Sequence, residues 1–132
     1  MRGILILMKL SRAILVISLA LVVLFLYVAG LILEFHWRMG WYDHVVHTLA
    51  GAMASLAIFS LYAMRAITKR PGALFAGAFL VSLVVGTLWE IFELRAGITS
   101  FSHRGYAVDT ALDIVFDIVG GWLAAGYILI FK

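Results

Sequence analysis

The feature that most constrains this chain is an uncharged apolar stretch long enough to cross a membrane. Residues 13–33 contain no Asp, Glu, Lys, Arg or His, and a helix needs about 20 apolar residues to cross the hydrocarbon core of a bilayer. Three further apolar stretches follow, at 45–64, 72–92 and 108–131. The sequence therefore predicts an integral, polytopic protein of the cell membrane with four spans.

Composition and periodicity indicate that the spans are helices. Of the 132 residues, 65% are hydrophobic and 13% are charged, whereas soluble domains average roughly 45–50% apolar and 25% charged residues. Backbone groups in lipid must be hydrogen-bonded within helices or a closed barrel. No stretch alternates polar and apolar residues as barrel strands do. The predicted fold is all-α, a compact bundle of four transmembrane helices that forms one domain, residues 1–132.

The basic residues predict the orientation of the bundle, because loops rich in Lys and Arg stay in the cytoplasm. One side of the predicted bundle holds seven of them: Arg2, Lys9, Arg12, Arg65, Lys69, Arg70 and Lys132. The other side holds three: Arg38, Arg95 and Arg104. We therefore expect both termini and the 65–71 connection to be cytoplasmic. Nucleic-acid binding is excluded, because the chain has no solvated basic face with base-reading or stacking groups.

The acidic residues are concentrated on the opposite, outer side. All seven acids and all four histidines lie there or in the adjoining half of a span: Glu34, Asp43, Glu90, Glu93, Asp109, Asp113 and Asp117, with His36, His44, His47 and His103. Three arginines cannot neutralise seven carboxylates, and a charge at the centre of a membrane helix costs on the order of 2.5–3.5 kcal/mol. A further compensating cation is therefore expected.

The spacing of these residues places them on three helix faces. Residues three or four apart share one face of a helix, and this spacing links Asp43 with His47, Glu90 with Glu93, and Asp109 with Asp113 and Asp117. The last face extends ~12 Å along its helix. Small residues continue the three faces and permit close helix packing: Gly51, Ser55, Ala78, Ser82, Gly86, Gly120, Gly121, Ala124 and Ala125. We expect one convergent polar site above a tightly packed bundle.

Carboxylates grouped with an imidazole indicate a divalent metal ion. Such ligands suit Mn²⁺, Mg²⁺, Zn²⁺ or Fe²⁺, which the sequence does not distinguish, and facing carboxylates in helical bundles hold di-metal sites. The predicted ligands are Asp43, His47, Glu90, Glu93, Asp113 and Asp117. Secondary candidates are Asp109, His44 and Arg104, the last as a contact for an anion.

Some of these residues have a second interpretation. Asp43 and Asp109 stand near the starts of predicted spans, where a carboxylate can cap free backbone N–H groups. Capping does not explain Asp117, which lies too deep. His36 and His103 lie in connections beside aromatic residues, and we interpret them as interfacial residues.

The order of these residues resembles the small multi-span prokaryotic proteins of the YjdF-like and VanZ-like families. The similarity covers residues 42–125 and comprises Asp43-xxx-His47, Glu90-xx-Glu93, Arg104 and Asp109-xxx-Asp113-xxx-Asp117-xx-Gly120. VanZ-like chains usually have Gln near Glu93 and Asn near Asp117, so the acids found here are closer to the YjdF-like pattern. The resemblance implies at most a role in the cell envelope or on a lipid-linked compound.

Two classes of function are compatible with such a site. The first is a metal-dependent enzyme acting on a lipid or lipid-linked envelope intermediate, in which the ion polarises a phosphoryl oxygen or activates water. The second is a small transport or channel-like subunit that uses the acids as a cation or proton site. No charged residue lies between Asp117 and Lys132, which favours a closed pocket. The expected partners are membrane lipid and a lipid-linked substrate, and a homo-oligomer is compatible with the sequence.

Overall fold

The structure is a computed structural model that describes residues 2–61, 69–102 and 104–131, with the side chains of 2–9, 60 and 61 left aside. Regular structure in these residues is helical throughout, which confirms the all-α prediction. The elements in chain order are α1 (Arg2–Ile32), α2 (Phe35–Arg38), α3 (Gly40–Leu56), a π-helical segment (Ala57–Leu61), α4 (Pro71–Ala96) and α5 (Tyr106–Ile130).

Three helices in the described residues are long and apolar enough to cross a membrane. They are Leu10–Ile32, Pro71–Ala96 and Tyr106–Ile130. The predicted second span, 45–64, coincides with α3 and the π-helical segment that continues it, and its last three residues lie outside the described residues. The four-span count therefore stays a prediction.

Proline and glycine set the ends of the last two helices. Pro71 is the first residue of α4. A backbone N–H at this position would have no acceptor within the helix, so the N–H that proline lacks is not needed there. Gly97 ends α4 with a φ of 71°, and Gly105 precedes α5 with a φ of 94°. Both values lie in the left-handed region that favours glycine. The chain thereby returns from α4 to α5 at the end of the bundle that carries the acids.

Glycines allow α3 and α5 to pack in direct contact. A Cβ atom on Gly51 would overlap the backbone of Asp117, and a Cβ atom on Gly120 would overlap the carbonyl of Thr48. Both glycines are buried. The predicted close approach through small residues is therefore confirmed at this interface, and it brings the polar face of α5 against that of α3.

Apolar packing fills the bundle beneath the polar residues. One buried cluster combines side chains from α1, α3, the π-helical segment, α4 and α5: Val16, Leu56, Phe59, Leu74, Ala78, Ala124, Ala125 and Ile128. A second, smaller cluster of Tyr27, Tyr42 and Val46 lies beside the acidic end. The acids lie toward the end of the bundle where α1 and α4 finish and α3 and α5 begin.

Candidate metal centre

Three side chains from α3 and α5 meet in one potential ligand sphere. Asp43, His47 and Asp113 each offer one ligand atom, and these atoms all lie within 4.8 Å of one another. His47 and Asp113 are each only 3% exposed. Asp43 and His47 share a face of α3, as their spacing predicts, and the close packing of α3 on α5 brings Asp113 to them. The group can hold a metal ion through one nitrogen and two carboxylate oxygens.

Each ring nitrogen of His47 lies on the side of a different carboxylate. Its Nδ1 lies 2.9 Å from Oδ2 of Asp117, which is hydrogen-bond distance. Its Nε2 lies 3.9 Å from Oδ1 of Asp43, too far for a hydrogen bond. Asp117 therefore lies on the Nδ1 side of the His47 ring, whereas Asp43 lies on the Nε2 side.

His36 joins the site from α2. Its Nδ1 lies 2.6 Å from Oδ1 of Asp43, and its Nε2 lies 3.3 Å from the carbonyl oxygen of Tyr27. Burial lowers the pKa of His36, but the hydrogen bond and negative charge of Asp43, with the Tyr27 carbonyl, outweigh it and raise the pKa above its usual value. The connection turns the ring of His36 inward against Asp43, a contact that the sequence did not predict. The interpretation of His36 as an interfacial residue stays a prediction, and His103 lies outside the described residues.

A small cavity lies beside these residues at the outer end of the bundle. Its volume is about 40 Å³, against roughly 10–15 Å³ for one water molecule. Five acids line it: Asp43, Glu90, Glu93, Asp109 and Asp113. The described lining also includes His36, Thr99, Thr110 and the apolar or aromatic side chains Leu31, Trp37, Ile98 and Tyr106. The cavity is thus strongly acidic inside, with apolar and aromatic walls.

The two glutamates of α4 differ in how they are held. Oε1 of Glu93 accepts hydrogen bonds from the hydroxyl of Tyr27 at 3.1 Å and from Nε1 of Trp89 at 3.2 Å. Oε2 of Glu90 accepts one from the hydroxyl of Thr110 at 2.7 Å. Oε1 of Glu90 is buried and has no hydrogen-bond partner among the described residues. One carboxylate oxygen of a cavity-lining residue is therefore buried without a hydrogen-bond partner among the described residues.

The secondary candidates take different positions. Nδ1 of His44 lies 3.3 Å from Oδ1 of Asp113, and its ring stacks on Phe116. Asp109 is exposed and lines the cavity. Arg104 is exposed in the connection before α5 and does not belong to the described lining of the cavity. Its contact with an anion stays a prediction.

The capping interpretation of Asp43 and Asp109 is wrong. Helix α3 begins at Gly40 after Met39, and α5 begins at Tyr106 after Gly105, and neither cap residue makes a side-chain capping hydrogen bond. Each helix therefore starts three residues before its aspartate, so both carboxylates lie in the first turn, where the helix dipole favours negative charge.

Sequence reasoning missed the side chains that hold the acids in place. Tyr27 belongs to the uncharged first span, Trp89 and Thr110 look like ordinary membrane-helix residues, and none of them stands out by charge. The available signal for Trp89 is its position four residues before Glu93, which places both on one face of α4. Tyr27 carries no such signal, because its partner is 66 residues away.

Residues 5–132 match the model of a family described as "Predicted membrane protein (DUF2238)". The chain belongs to this family. No curated protein and no solved structure gives a match. Family membership and the three long apolar helices establish an integral membrane protein. The family description names no reaction or ligand, and the YjdF-like and VanZ-like patterns stay resemblances.

Proposed function

We propose that this chain is a single-domain, four-span membrane protein whose Asp43, His47 and Asp113 bind a divalent cation. With that ion it acts as an enzyme on a phosphate group of a lipid or lipid-linked envelope intermediate. The observation that carries the proposal is the convergence of Asp43 and Asp113, which line an acidic cavity, with the buried side chain of His47.

The charge balance of the cavity supports a cation. Five carboxylates line it, and His36 is the basic side chain in its described lining. Carboxylates held this close destabilise one another unless protons or a cation offset their charge. Oxygen ligands with one imidazole suit Mn²⁺, Mg²⁺, Zn²⁺ or Fe²⁺. Glu90 and Glu93 are proposed as further ligands or acid–base groups. Oε1 of Glu90, which has no hydrogen-bond partner among the described residues, is proposed as the atom that accepts a proton from water.

The cavity walls support a substrate that is part lipid. Trp37 and Tyr106 line the cavity with Leu31 and Ile98, and aromatic side chains favour the level of lipid headgroups. A phosphate would be repelled by the bare carboxylates, so the cation would bind first and polarise the phosphoryl oxygen. Arg104, which precedes α5, is proposed as an additional contact for the anionic headgroup.

The interior of the bundle favours an enzyme over a conducting pathway. Below Asp117 the polar side chains are Ser55 and Ser82, whose hydroxyls are 3.5 Å apart. Beyond them lie Leu74 and Ala78, both fully buried. A proton or cation pathway needs polar groups across the bilayer, and within the described residues this column ends in apolar packing.

Four spans with cytoplasmic termini place the cavity on the outer side. Helix α3 and the π-helical segment run without a break from Gly40 to Leu61, which is enough residues for a span. The seven basic residues of the predicted opposite side favour the cytoplasm. An outer-facing cavity suits a substrate of the cell envelope.

Metal analysis of purified protein tests the cation site. We expect the wild type to bind Mn²⁺ or Zn²⁺ in a fixed ratio, and Asp43→Asn, His47→Gln and Asp113→Asn each to lower affinity at least 10-fold. Glu34→Gln is the matched control, because Glu34 pairs with Arg38 on the surface and its loss removes the same charge. Equal affinity in all five proteins would contradict the site.

Turnover tests the reaction. Mixed micelles of a polyprenyl diphosphate should release inorganic phosphate only with the metal-loaded protein. Metal-dependent proton or cation flux in proteoliposomes without phosphate release would instead favour the transport alternative.

A further inference from the structure

We propose that Asp117 is a positioning residue for the metal site rather than a ligand. Its carboxylate holds His47 with the proton on Nδ1, so that the lone pair of Nε2 is free on the side of Asp43. This inference rests on the proposed cation site. It assigns a role to Asp117, which contacts His47 but does not belong to the three grouped ligands.

The first step is the hydrogen bond between the two buried side chains. Oδ2 of Asp117 lies 2.9 Å from Nδ1 of His47, and an ionised carboxylate can only accept a hydrogen bond. Nδ1 of His47 must then be the donor. In a neutral imidazole the proton on one nitrogen leaves the other as an acceptor or a metal ligand.

The second step is the position of the free nitrogen. Nε2 of His47 is 3.9 Å from Oδ1 of Asp43. Metal bonds from His nitrogen and carboxylate oxygen are each roughly 2.0–2.2 Å long, so two of them can span this gap. A direct hydrogen bond cannot. The gap on the Nε2 side fits an ion, whereas the Nδ1 side is already closed by Asp117.

The third step is how tightly Asp117 is fixed. The residue is 1% exposed, and a Cβ atom on Gly86 of α4 would overlap its Oδ2. A Cβ atom on Gly51 of α3 would overlap its backbone. Two neighbouring helices thus approach Asp117 through glycines and leave its carboxylate little room to turn toward the cavity.

The consequence is a carboxylate–histidine–metal arrangement. A metal-bound histidine usually donates its other N–H to a carboxylate or carbonyl, and loss of that partner typically costs 10–100-fold in metal affinity. Asp43 and Asp113 would supply direct bonds to the ion, while Asp117 would act through His47. The two roles predict different results for the same Asp-to-Asn change.

The tautomer of His47 can be measured without any metal. ¹⁵N-histidine-labelled wild-type protein in detergent micelles is titrated to a pH at which the ring of His47, assigned by its loss in His47→Gln, is neutral. The neutral ring should carry its proton on Nδ1 and none on Nε2. In Asp117→Asn we expect the Nε2-protonated form to appear as well. A neutral wild-type His47 with its proton on Nε2 would overturn the proposal.

Cobalt binding then separates a ligand from a positioning residue. With Co²⁺ as the probe, Asp117→Asn should bind 10–100-fold more weakly than the wild type, with the same visible absorption bands. Asp113→Asn should change those bands, because a direct ligand is lost. Gly86→Ala should weaken binding as well, since its methyl group displaces the Asp117 carboxylate while every charged group is kept. Gly126→Ala, whose Cβ meets nothing within 4 Å, is the matched control.

The remaining outcomes are also decisive. Unchanged affinity in Asp117→Asn, or absorption bands altered as in Asp113→Asn, would overturn the positioning role. Absence of Co²⁺ binding by the wild type, together with an Nδ1-protonated His47, would overturn the proposed function and support the orientation of His47 by Asp117.

Discussion

Nδ1 of His36 lies 2.6 Å from Oδ1 of Asp43, across the junction between α2 and α3. Through this contact the short helix α2 braces a carboxylate of the cavity. Gly30 of α1 permits the arrangement, because a Cβ atom there would overlap the His36 ring. The connection between α1 and α3 is thus part of the site.

The contact predicts that the pKa of His36 lies above its usual 6.5 and depends on Asp43. Asp43→Asn removes the negative charge that favours the protonated ring, so the pKa of His36 should fall. Titration of the His36 ring by NMR in both proteins checks this. An equal pKa in the two proteins would contradict the assigned cause.

The same pKa shift predicts how stability depends on pH. Because the folded-state pKa of His36 is raised, its stabilising contribution is fully present below the unfolded-state pKa of about 6.5. It is lost as the pH rises through the folded-state pKa. The difference in thermal unfolding midpoint between wild type and His36→Gln should therefore shrink as the pH rises. A difference that grows with pH would contradict this sign.

Packing of α3 on α5 gives a third prediction. A Cβ atom on Gly120 would overlap backbone atoms of Thr48 and Ala52, which cannot move as a side-chain tip can. Gly120→Ala should therefore destabilise the protein by about 1–3 kcal/mol, the usual cost of overpacking. Gly126→Ala on the same helix meets nothing within 4 Å and should be neutral or slightly stabilising. Thermal unfolding in detergent compares the two.

The sequence predicts the parts of this fold that depend on local pattern. Apolar length marks the helices, and the spacing of Asp43 with His47 places both on one face of α3. Small residues such as Gly51 and Gly120 indicate where helices approach. These features are predictable because each depends on residues within a few turns of one helix.

Long-range partners and the path of the connections are not predictable in this way. The inward turn of His36 depends on Glu34, whose φ of 59° is uncommon for a residue with a side chain. The pairing of His47 with Asp117 rather than with Asp43 depends on the register between α3 and α5. Neither feature can be predicted from the local pattern of a single sequence, because each depends on how separate segments of the chain pack together.

Tyr27 gives a fourth prediction, because it links the first helix to the cavity. Its hydroxyl donates to Glu93 at 3.1 Å within the buried interior. Tyr27→Phe removes one of the two donors to Oε1 of Glu93, so the free energy of unfolding should fall by about 1 kcal/mol. Tyr127→Phe is the matched control, since Tyr127 is 39% exposed and surface changes usually stay within about 0.5 kcal/mol. Equal effects of the two changes would contradict the role of the Tyr27 hydroxyl.

The proposed topology gives the last prediction, and the absence of cysteine makes it simple to test. Single cysteines at Thr68 and Ser102 lie in the connections predicted to be cytoplasmic and external. A membrane-impermeant thiol reagent should label Ser102→Cys in intact cells, and it should label Thr68→Cys only after the membrane is permeabilised. We expect this orientation because the side with seven basic residues stays in the cytoplasm, whereas the other side has three. Labelling of Thr68→Cys from outside would indicate the opposite orientation of the bundle. The acid-lined cavity would then face the cytoplasm and substrates found there.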